Sequence, residues 1–181
     1  MNLPNKITMI RIFLAAFIVL ILLFPFDSIG ISSTKLFINE AVVVDVKYMI
    51  AGGLFILASI TDLGKMLDAI ADKVLVNSIL IILSAQGLIH PIIPVIIVSR
   101  DTVVDIIKMI VGSKKSAVAA IKSGKYKTAF MMVGIALTLF NNLPFELINI
   151  RIADVLLIIA TALSIYSAIQ YYQLNKNLIL N

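Results

Sequence analysis

The amino-acid sequence predicts an all-α integral membrane protein that crosses the bilayer six times and forms a single domain over residues 1–181. Of its 181 residues, 61% are hydrophobic and only 14% are charged, and the mean hydropathy is +1.08. A soluble domain is about 45–50% apolar and about 25% charged, and a small one has too much surface to hide such an excess. The composition therefore excludes a water-soluble domain. It also excludes disorder, which needs low hydrophobicity, and the absence of cysteine excludes disulfide scaffolds.

Six apolar stretches account for the predicted spans, because a helix needs about 20 mostly apolar residues to cross a bilayer. They lie at residues 8–26, 48–61, 74–88, 91–111, 128–140 and 152–172. The first is interpreted as a retained helix, since its apolar run is too long for a signal peptide and no small-residue cleavage site follows. Pro25 and Phe26 end this first span. The second is short, and Gly52 and Gly53 within it are expected to permit close helix packing.

Lysine and arginine residues beside the spans predict that both termini lie in the cytoplasm. One side of a six-span bundle holds the N-terminus, the second-to-third and fourth-to-fifth connections, and the C-terminal tail. The basic residues of these four regions are Lys6, Arg11, Lys65, Lys73, Lys114, Lys115, Lys122, Lys125, Lys127 and Lys176. The opposite connections carry only Lys35, Lys47 and Arg151.

An acidic cluster at the start of the third span is the first candidate site, because an ionisable residue at membrane depth is a functional candidate by default. It consists of Asp62, Asp68 and Asp72. Asp68 and Asp72 are four residues apart, so they share one helix face and repel each other. Carboxylates at this density suit Mg²⁺, Mn²⁺ or Ca²⁺. The alternative is that they lie at a wet membrane edge, paired with Lys65 and Lys73.

A basic cluster forms the second candidate site. Its members are Arg100, Lys108, Lys125 and Lys127. Arg100 and Lys108 lie about two helical turns apart on one face of the fourth span, and phosphate is the anion that arginine and lysine usually bind. Two alternatives stay open. Lys125 and Lys127 can anchor the chain to anionic lipid, and Asp101 and Asp105 can pair internally with Arg100 and Lys108.

The sequence resembles the CDP-alcohol phosphotransferase family. Gly64, Asp68 and Asp72 form G-x-x-x-D-x-x-x-D, the second half of that family's signature. Further segments resemble the bacterial phosphatidylglycerophosphate synthases within the family: LPNKIT at 3–8, SITD at 59–62, LDAIADK at 67–73, Arg100-Asp101, and GKYKT at 124–128. The resemblance covers nearly the whole chain and includes the six-helix layout.

The resemblance implies a transfer of the phosphatidyl group from CDP-diacylglycerol to sn-glycerol 3-phosphate, with release of CMP. It implies that Asp62, Asp68 and Asp72 hold Mg²⁺ or Mn²⁺, that Asp62, Asp68 and Gly64 contact CDP-diacylglycerol, and that Asp72 is the general base. The residues that hold the acceptor phosphate would be Arg100, Lys108, Lys125 and Lys127. It also implies a homodimer in the bacterial cytoplasmic membrane, with the active site facing the cytoplasm and no nucleic-acid partner.

One part of the family signature, D-G-x-x-A-R with its spacer, has no counterpart between Asp62 and Gly64. There are three explanations: a segment missing from the sequence as read, a true deletion, or a degenerate relative of the family. We favour the first, because the rest of the pattern is intact. The functional alternatives are a sister enzyme that uses another alcohol, such as inositol phosphate or serine, and an impaired or inactive homologue. A small transporter fits less well, since Asp68 and Asp72 lie near the end of a span rather than at mid-bilayer.

Overall fold

Six α-helices build most of the chain that the structure describes. The structure, a computed structural model, describes residues 3–26, 35–39, 42–60, 67–113, 122–143, 145–148 and 150–180. The helices are α1 (Leu3–Leu23), α2 (Val46–Ile60), α3 (Leu67–Ala85), α4 (Ile92–Ser113), α5 (Lys122–Leu139) and α6 (Ile152–Leu180). Each overlaps one of the six predicted stretches, in the same order. The prediction of a helical protein is therefore confirmed.

A small β-hairpin between α1 and α2 departs from the all-α prediction. Strands β1 (Lys35–Asn39) and β2 (Val42–Asp45) pair in antiparallel fashion, with Lys35 opposite Asp45 and Leu36 opposite Val44. The sequence interpretation treated the whole stretch from Asp27 to Lys47 as a connection. The signal was present, because β2 is a run of β-branched valines, which favour strands. Val44 is 1% exposed, so the hairpin contributes to the protein interior.

The distribution of polar and apolar side chains is that of a membrane protein. Large apolar residues point outward: Phe13, Met109 and Leu174 are 69%, 68% and 63% exposed. Soluble monomers rarely expose extended apolar surface, whereas lipid covers such surface favourably. By length and composition, α6 contains one segment able to cross a membrane, Ile152–Lys176, and shorter apolar segments occur in α1, α2 and α3. A membrane location is thus supported, and the number of spans stays a prediction.

Small residues set how closely two helix pairs approach. A Cβ atom on Gly52 of α2 would lie 2.9 Å from the Phe140 ring, and one on Gly134 of α5 would lie 2.9 Å from the Leu157 side chain of α6. Such distances leave no room for a methyl group. The prediction of a close approach is therefore confirmed for Gly52. It is wrong for Gly53, where no described atom lies within 4 Å of the added Cβ.

Asn142 fixes the turn that joins α5 to α6. Asn141 and Asn142 both adopt left-handed backbone angles, with φ of 54° and 57°, a region that asparagine tolerates better than most residues. The buried Asn142 side chain donates to the Ile150 carbonyl at 2.6 Å and accepts from the Ala153 N–H at 3.1 Å. These bonds determine where α6 begins and hence how it lies against α4 and α5.

Two hydrophobic clusters hold the helices together and leave space between them. The larger contains residues of all six helices, including Ile18, Phe55 and Ile79. The smaller joins α4 to α6 through Val104, Ile107, Val111 and Tyr171. The space toward the beginnings of α3 and α5 is lined by charged and polar side chains together with apolar ones, among them Val76, Met131 and Met132.

Candidate functional site

A cavity of about 570 Å³ lies among α3, α4, α5 and α6. Its described lining residues with polar or charged side chains are Lys73, Asn77, Arg100, Asp101, Lys108, Lys125, Lys127, Thr128 and Tyr171. All four members of the basic cluster predicted from the sequence are among them. The structure thus brings Arg100, Lys108, Lys125 and Lys127 together, and their role in holding a phosphate stays a prediction.

Asp101 is the centre of a buried ion cluster at the back of the cavity. Lys127 of α5 donates to both of its carboxylate oxygens at 2.8 and 2.9 Å, and Arg100 Nη1 donates to Oδ1 at 2.9 Å. Arg100 also reaches α6, where Nη2 donates to Ser167 Oγ at 2.6 Å and Nε to the Ser164 carbonyl at 3.2 Å. Asp101 and Lys127 are only 7% and 3% exposed. One carboxylate therefore orients two cations contributed by adjacent helices.

This ion cluster shows which of the possible internal ion pairs form among the described residues. Internal pairing with Asp101 holds for Arg100, and it extends to Lys127, for which the sequence suggested either substrate phosphate or lipid anchoring. Asp105 pairs with Lys73 of α3 rather than with Lys108. Lys73 was also predicted as a possible partner of the acidic cluster, whose side chains lie outside the described residues. Its described ion-pair partner is Asp105 of α4, and both side chains are partly exposed.

Lys108 and Lys125 differ from the other cations, because neither has an ion-pair partner among the described residues. The Lys108 ammonium lies 5.5 Å from the centre of the Tyr171 ring, and the Arg100 guanidinium lies 5.8 Å from it. The candidate residues predicted from the sequence include none from α6. A signal was available: Ser164, Ser167 and Tyr171 follow one another at helical spacing, so one face of α6 points at Arg100.

The acidic cluster falls largely outside the described part of the chain. Asp62 and Gly64 precede the described start of α3, and so does Lys65. Asp68 and Asp72 belong to the first turns of α3, but their side chains are not among those described. In the described residues, no group of three or more His, Cys, Asp or Glu residues could hold a metal ion. The ligand set predicted for Mg²⁺ or Mn²⁺ is thus untested by the geometry.

The charge of the cavity determines what it can bind. Five of its described lining residues are cations, namely Lys73, Arg100, Lys108, Lys125 and Lys127, and one, Asp101, is an anion. Arg100 donates three of its five N–H groups to protein acceptors. Lys127 donates only to the Asp101 carboxylate among the described residues. Donors and positive charge remain available on several sides. The cavity is therefore suited to a small phosphorylated or otherwise multiply anionic molecule.

Comparisons with known proteins agree with this chemistry. Relatives named CDP-diacylglycerol–glycerol-3-phosphate 3-phosphatidyltransferase occur in several bacteria. The Bacillus subtilis protein is 33% identical, with 96% of this chain and 95% of that protein covered. The Haemophilus influenzae protein is 31% identical, with 99% and 96% covered. The Rickettsia bellii protein is 29% identical, with 97% and 96% covered.

These alignments also show that the chain is shorter inside the matched region than its relatives. The alignment with the B. subtilis protein spans 193 positions, whereas this chain has 181 residues, so at least twelve positions are filled by the relative alone. The alignment with the R. bellii protein, at 191 positions, also exceeds the chain. Residues 1–166 match the family model described as CDP-alcohol phosphatidyltransferase. This chain belongs to the CDP-alcohol phosphatidyltransferase family.

Proposed function

We propose that this protein transfers the phosphatidyl group of CDP-diacylglycerol to sn-glycerol 3-phosphate, forming phosphatidylglycerophosphate and releasing CMP. The single observation that carries the proposal is the cavity among four helices, whose described lining contains five cationic side chains and one carboxylate. A phosphorylated acceptor needs such a cavity, whereas serine, the acceptor in one alternative, has no phosphate to place there. The substrates named for the relatives are the same donor and acceptor.

The acceptor phosphate is proposed to lie between Lys108 and Lys125, against Arg100 and Lys127. Arg100 and Lys127 are rigid, because Asp101 and the serines of α6 hold them. Lys108 and Lys125 have no ion-pair partner among the described residues, so their charge is available to the substrate. A phosphate monoester carries about two negative charges at neutral pH, which this arrangement neutralises.

The donor half of the reaction is proposed to use Asp62, Asp68 and Asp72, with Gly64 beside the CDP group. Their carboxylates fit Mg²⁺ or Mn²⁺, and such an ion, when bound, would neutralise the charge that develops on the leaving phosphate. Asp72 would accept the proton of the attacking glycerol hydroxyl. Its position in α3 supports this, because the next residue, Lys73, and the residue one turn on, Val76, both line the acceptor cavity.

The membrane arrangement that fits this chemistry has six spans, cytoplasmic termini and a cytoplasmic active site in the bacterial inner membrane. The cavity lies toward the ends of α4 and α6 and the beginnings of α3 and α5. These are the helix ends at which the basic connections occur, and basic connections stay in the cytoplasm. We also propose a homodimer, which chemical cross-linking in membranes tests directly.

The extra positions in the relatives bear on one alternative, an enzyme with impaired turnover, and fit a segment missing from the sequence as read equally well. The missing D-G-x-x-A-R segment and its spacer, between Asp62 and Gly64, would account for those positions. Loss of a carboxylate from the donor half weakens metal binding, whereas the described lining of the acceptor cavity begins at Lys73. An impaired enzyme would bind glycerol 3-phosphate and release little CMP.

The experiment that tests the proposal measures binding and turnover separately. The purified protein in lipid nanodiscs is titrated with sn-glycerol 3-phosphate by calorimetry. CMP release from CDP-diacylglycerol is then followed with glycerol 3-phosphate, serine or inositol phosphate, with and without Mg²⁺. We expect binding of glycerol 3-phosphate and product formation with that acceptor only. Failure to bind it would refute the acceptor assignment, and binding without turnover would establish the impaired alternative.

A variant of the proposed base sharpens this experiment. Asp72→Asn removes the proton acceptor with little change in shape, so turnover should fall at least a hundredfold, the scale of general-base catalysis. Its affinity for glycerol 3-phosphate should stay unchanged, since the phosphate is held by other residues. Turnover retained in Asp72→Asn would exclude Asp72 as the base. In a chain without measurable turnover, the matched test is made on a relative that carries the full signature.

A further inference from the structure

The ring of Tyr171 lies between two cations of the acceptor cavity. Its centre is 5.5 Å from Lys108 Nζ and 5.8 Å from Arg100 Cζ, and the residue is 8% exposed. Ammonium and guanidinium groups within about 6 Å of an aromatic ring centre are attracted by its negative face. Tyr171 therefore contacts both of the cations that α4 contributes to the cavity.

The two cations depend on this ring to different degrees. Arg100 is already fixed by hydrogen bonds to Asp101, Ser167 and the Ser164 carbonyl. Lys108 has no ion-pair partner in the described part of the chain, and the nearby Asp105 is engaged by Lys73. A lysine side chain has four rotatable bonds, so without a partner its ammonium would sample many positions. Among the described residues, the aromatic ring is a contact that restricts it.

The position of Tyr171 is determined independently of Lys108. Tyr171 packs with Val104, Ile107 and Val111 in the apolar cluster that joins α4 to α6. Because helix packing places the ring, the ring can place the flexible lysine, and the reverse does not hold. A cation–π contact also leaves the lysine charge uncompensated, whereas a carboxylate partner would neutralise it. Lys108 thus stays both positioned and available to an anion.

We propose that Tyr171 is a positioning residue that holds the Lys108 ammonium at the acceptor cavity for the phosphate of glycerol 3-phosphate. This inference rests on the proposed function, since it assigns a further residue to the same acceptor site. It makes the aromatic ring, rather than the phenol hydroxyl, the essential feature.

The test compares three variants by calorimetric titration of the nanodisc-embedded protein with sn-glycerol 3-phosphate, and with inorganic phosphate as a second probe. Tyr171→Leu removes the ring, and we expect the Kd for both probes to rise by about three- to tenfold. Tyr171→Phe keeps the ring and should restore a Kd within about twofold of the unmodified protein. The matched control is Tyr172→Leu, which removes the neighbouring, 45% exposed tyrosine and should leave the Kd unchanged.

A double-mutant cycle separates positioning from general damage to the fold. In a Lys108→Met background there is no ammonium to hold, so adding Tyr171→Leu should change the Kd no further. Additive losses of affinity in the double variant would show that Tyr171 acts through the fold. Equal losses of affinity in Tyr171→Phe and Tyr171→Leu would show that the hydroxyl matters. Either result overturns the inference. If the unmodified protein binds glycerol 3-phosphate and Tyr171→Leu binds it equally well, only the role of Tyr171 falls. No binding by the unmodified protein would overturn the proposed acceptor site as well.

Discussion

Replacement of Asp101 by asparagine tests the buried ion cluster that organises the acceptor cavity. Asparagine has nearly the shape of aspartate, so Asp101→Asn removes the negative charge and one acceptor oxygen without opening a cavity. Lys127 now donates to both carboxylate oxygens, and Arg100 donates to one of them. After the substitution, two cations with side-chain exposures of 4% and 11% would face each other without an anion between them.

The expected loss of stability follows from the burial of these groups. Removing one partner of a buried ion pair costs about 3–5 kcal/mol, because it leaves an uncompensated buried charge. The amide oxygen that remains can still accept one hydrogen bond, and Arg100 keeps its bonds to α6. We therefore expect the free energy of unfolding of Asp101→Asn to fall by about 3 kcal/mol, the lower end of that range.

Asp105→Asn provides a matched control one turn further along α4. It breaks the pair with Lys73, whose side chains are 36% and 41% exposed, and exposed pairs contribute only about 0.2–1 kcal/mol. Both variants would be unfolded by sodium dodecyl sulfate in mixed micelles and followed by circular dichroism. Equal losses in the two variants, or an Asp101→Asn protein as stable as the unmodified one, would refute the assignment of a buried, energetically important ion cluster.

Three further predictions concern single side chains. Lys125→Ala should raise the Kd for glycerol 3-phosphate by about tenfold without changing that for CDP-diacylglycerol; an unchanged acceptor Kd would return Lys125 to the role of a lipid anchor. Gly52→Ala should lower the free energy of unfolding by about 1–3 kcal/mol through its clash with Phe140, whereas Gly53→Ala should raise it by about 0.5–1 kcal/mol, and the opposite order would contradict the packing described. Asn142→Ala should cost about 2–3 kcal/mol in the same assay, through three lost hydrogen bonds and a left-handed backbone. A loss below about 0.5 kcal/mol would show that this turn does not position α6.

Hydropathy predicted the helices well in their apolar parts and poorly at their charged ends. The third stretch was predicted to begin at residue 74 and the fifth at residue 128, whereas α3 begins at Leu67 and α5 at Lys122. Charged residues lower the hydropathy of both beginnings, namely Asp68, Asp72 and Lys73 in α3 and three lysines in α5. They do not interrupt helical hydrogen bonding, so the helix continues beyond the apolar segment. Hydropathy reports the environment of a residue, and backbone hydrogen bonding determines the helix.

The candidate site shows the same division between what a sequence pattern contains and what packing decides. The sequence was enough to group Arg100, Lys108, Lys125 and Lys127 as one basic cluster, and the structure brings them to one cavity. Their partners depend on the rotation of each helix about its axis, which no spacing within one helix specifies. Lys127 is consequently buried against Asp101, whereas Lys125, two residues earlier, is an exposed residue of the cavity lining. Tyr171 was missed for the same reason, because its role depends on the contacts that its ring makes with Arg100 and Lys108 of α4.

The two halves of the proposed site depend on different parts of the chain. The described residues that line the acceptor cavity all come from α3 to α6, beginning at Lys73. The gap in the family signature lies earlier, between Asp62 and Gly64. The described contacts that orient Arg100, Lys127 and Lys108 likewise come from α4, α5 and α6. We therefore expect the acceptor half to keep its structure when the donor half is defective. Binding of glycerol 3-phosphate without turnover would place the defect in the donor half, whereas turnover in a protein that does not bind the acceptor would contradict this division.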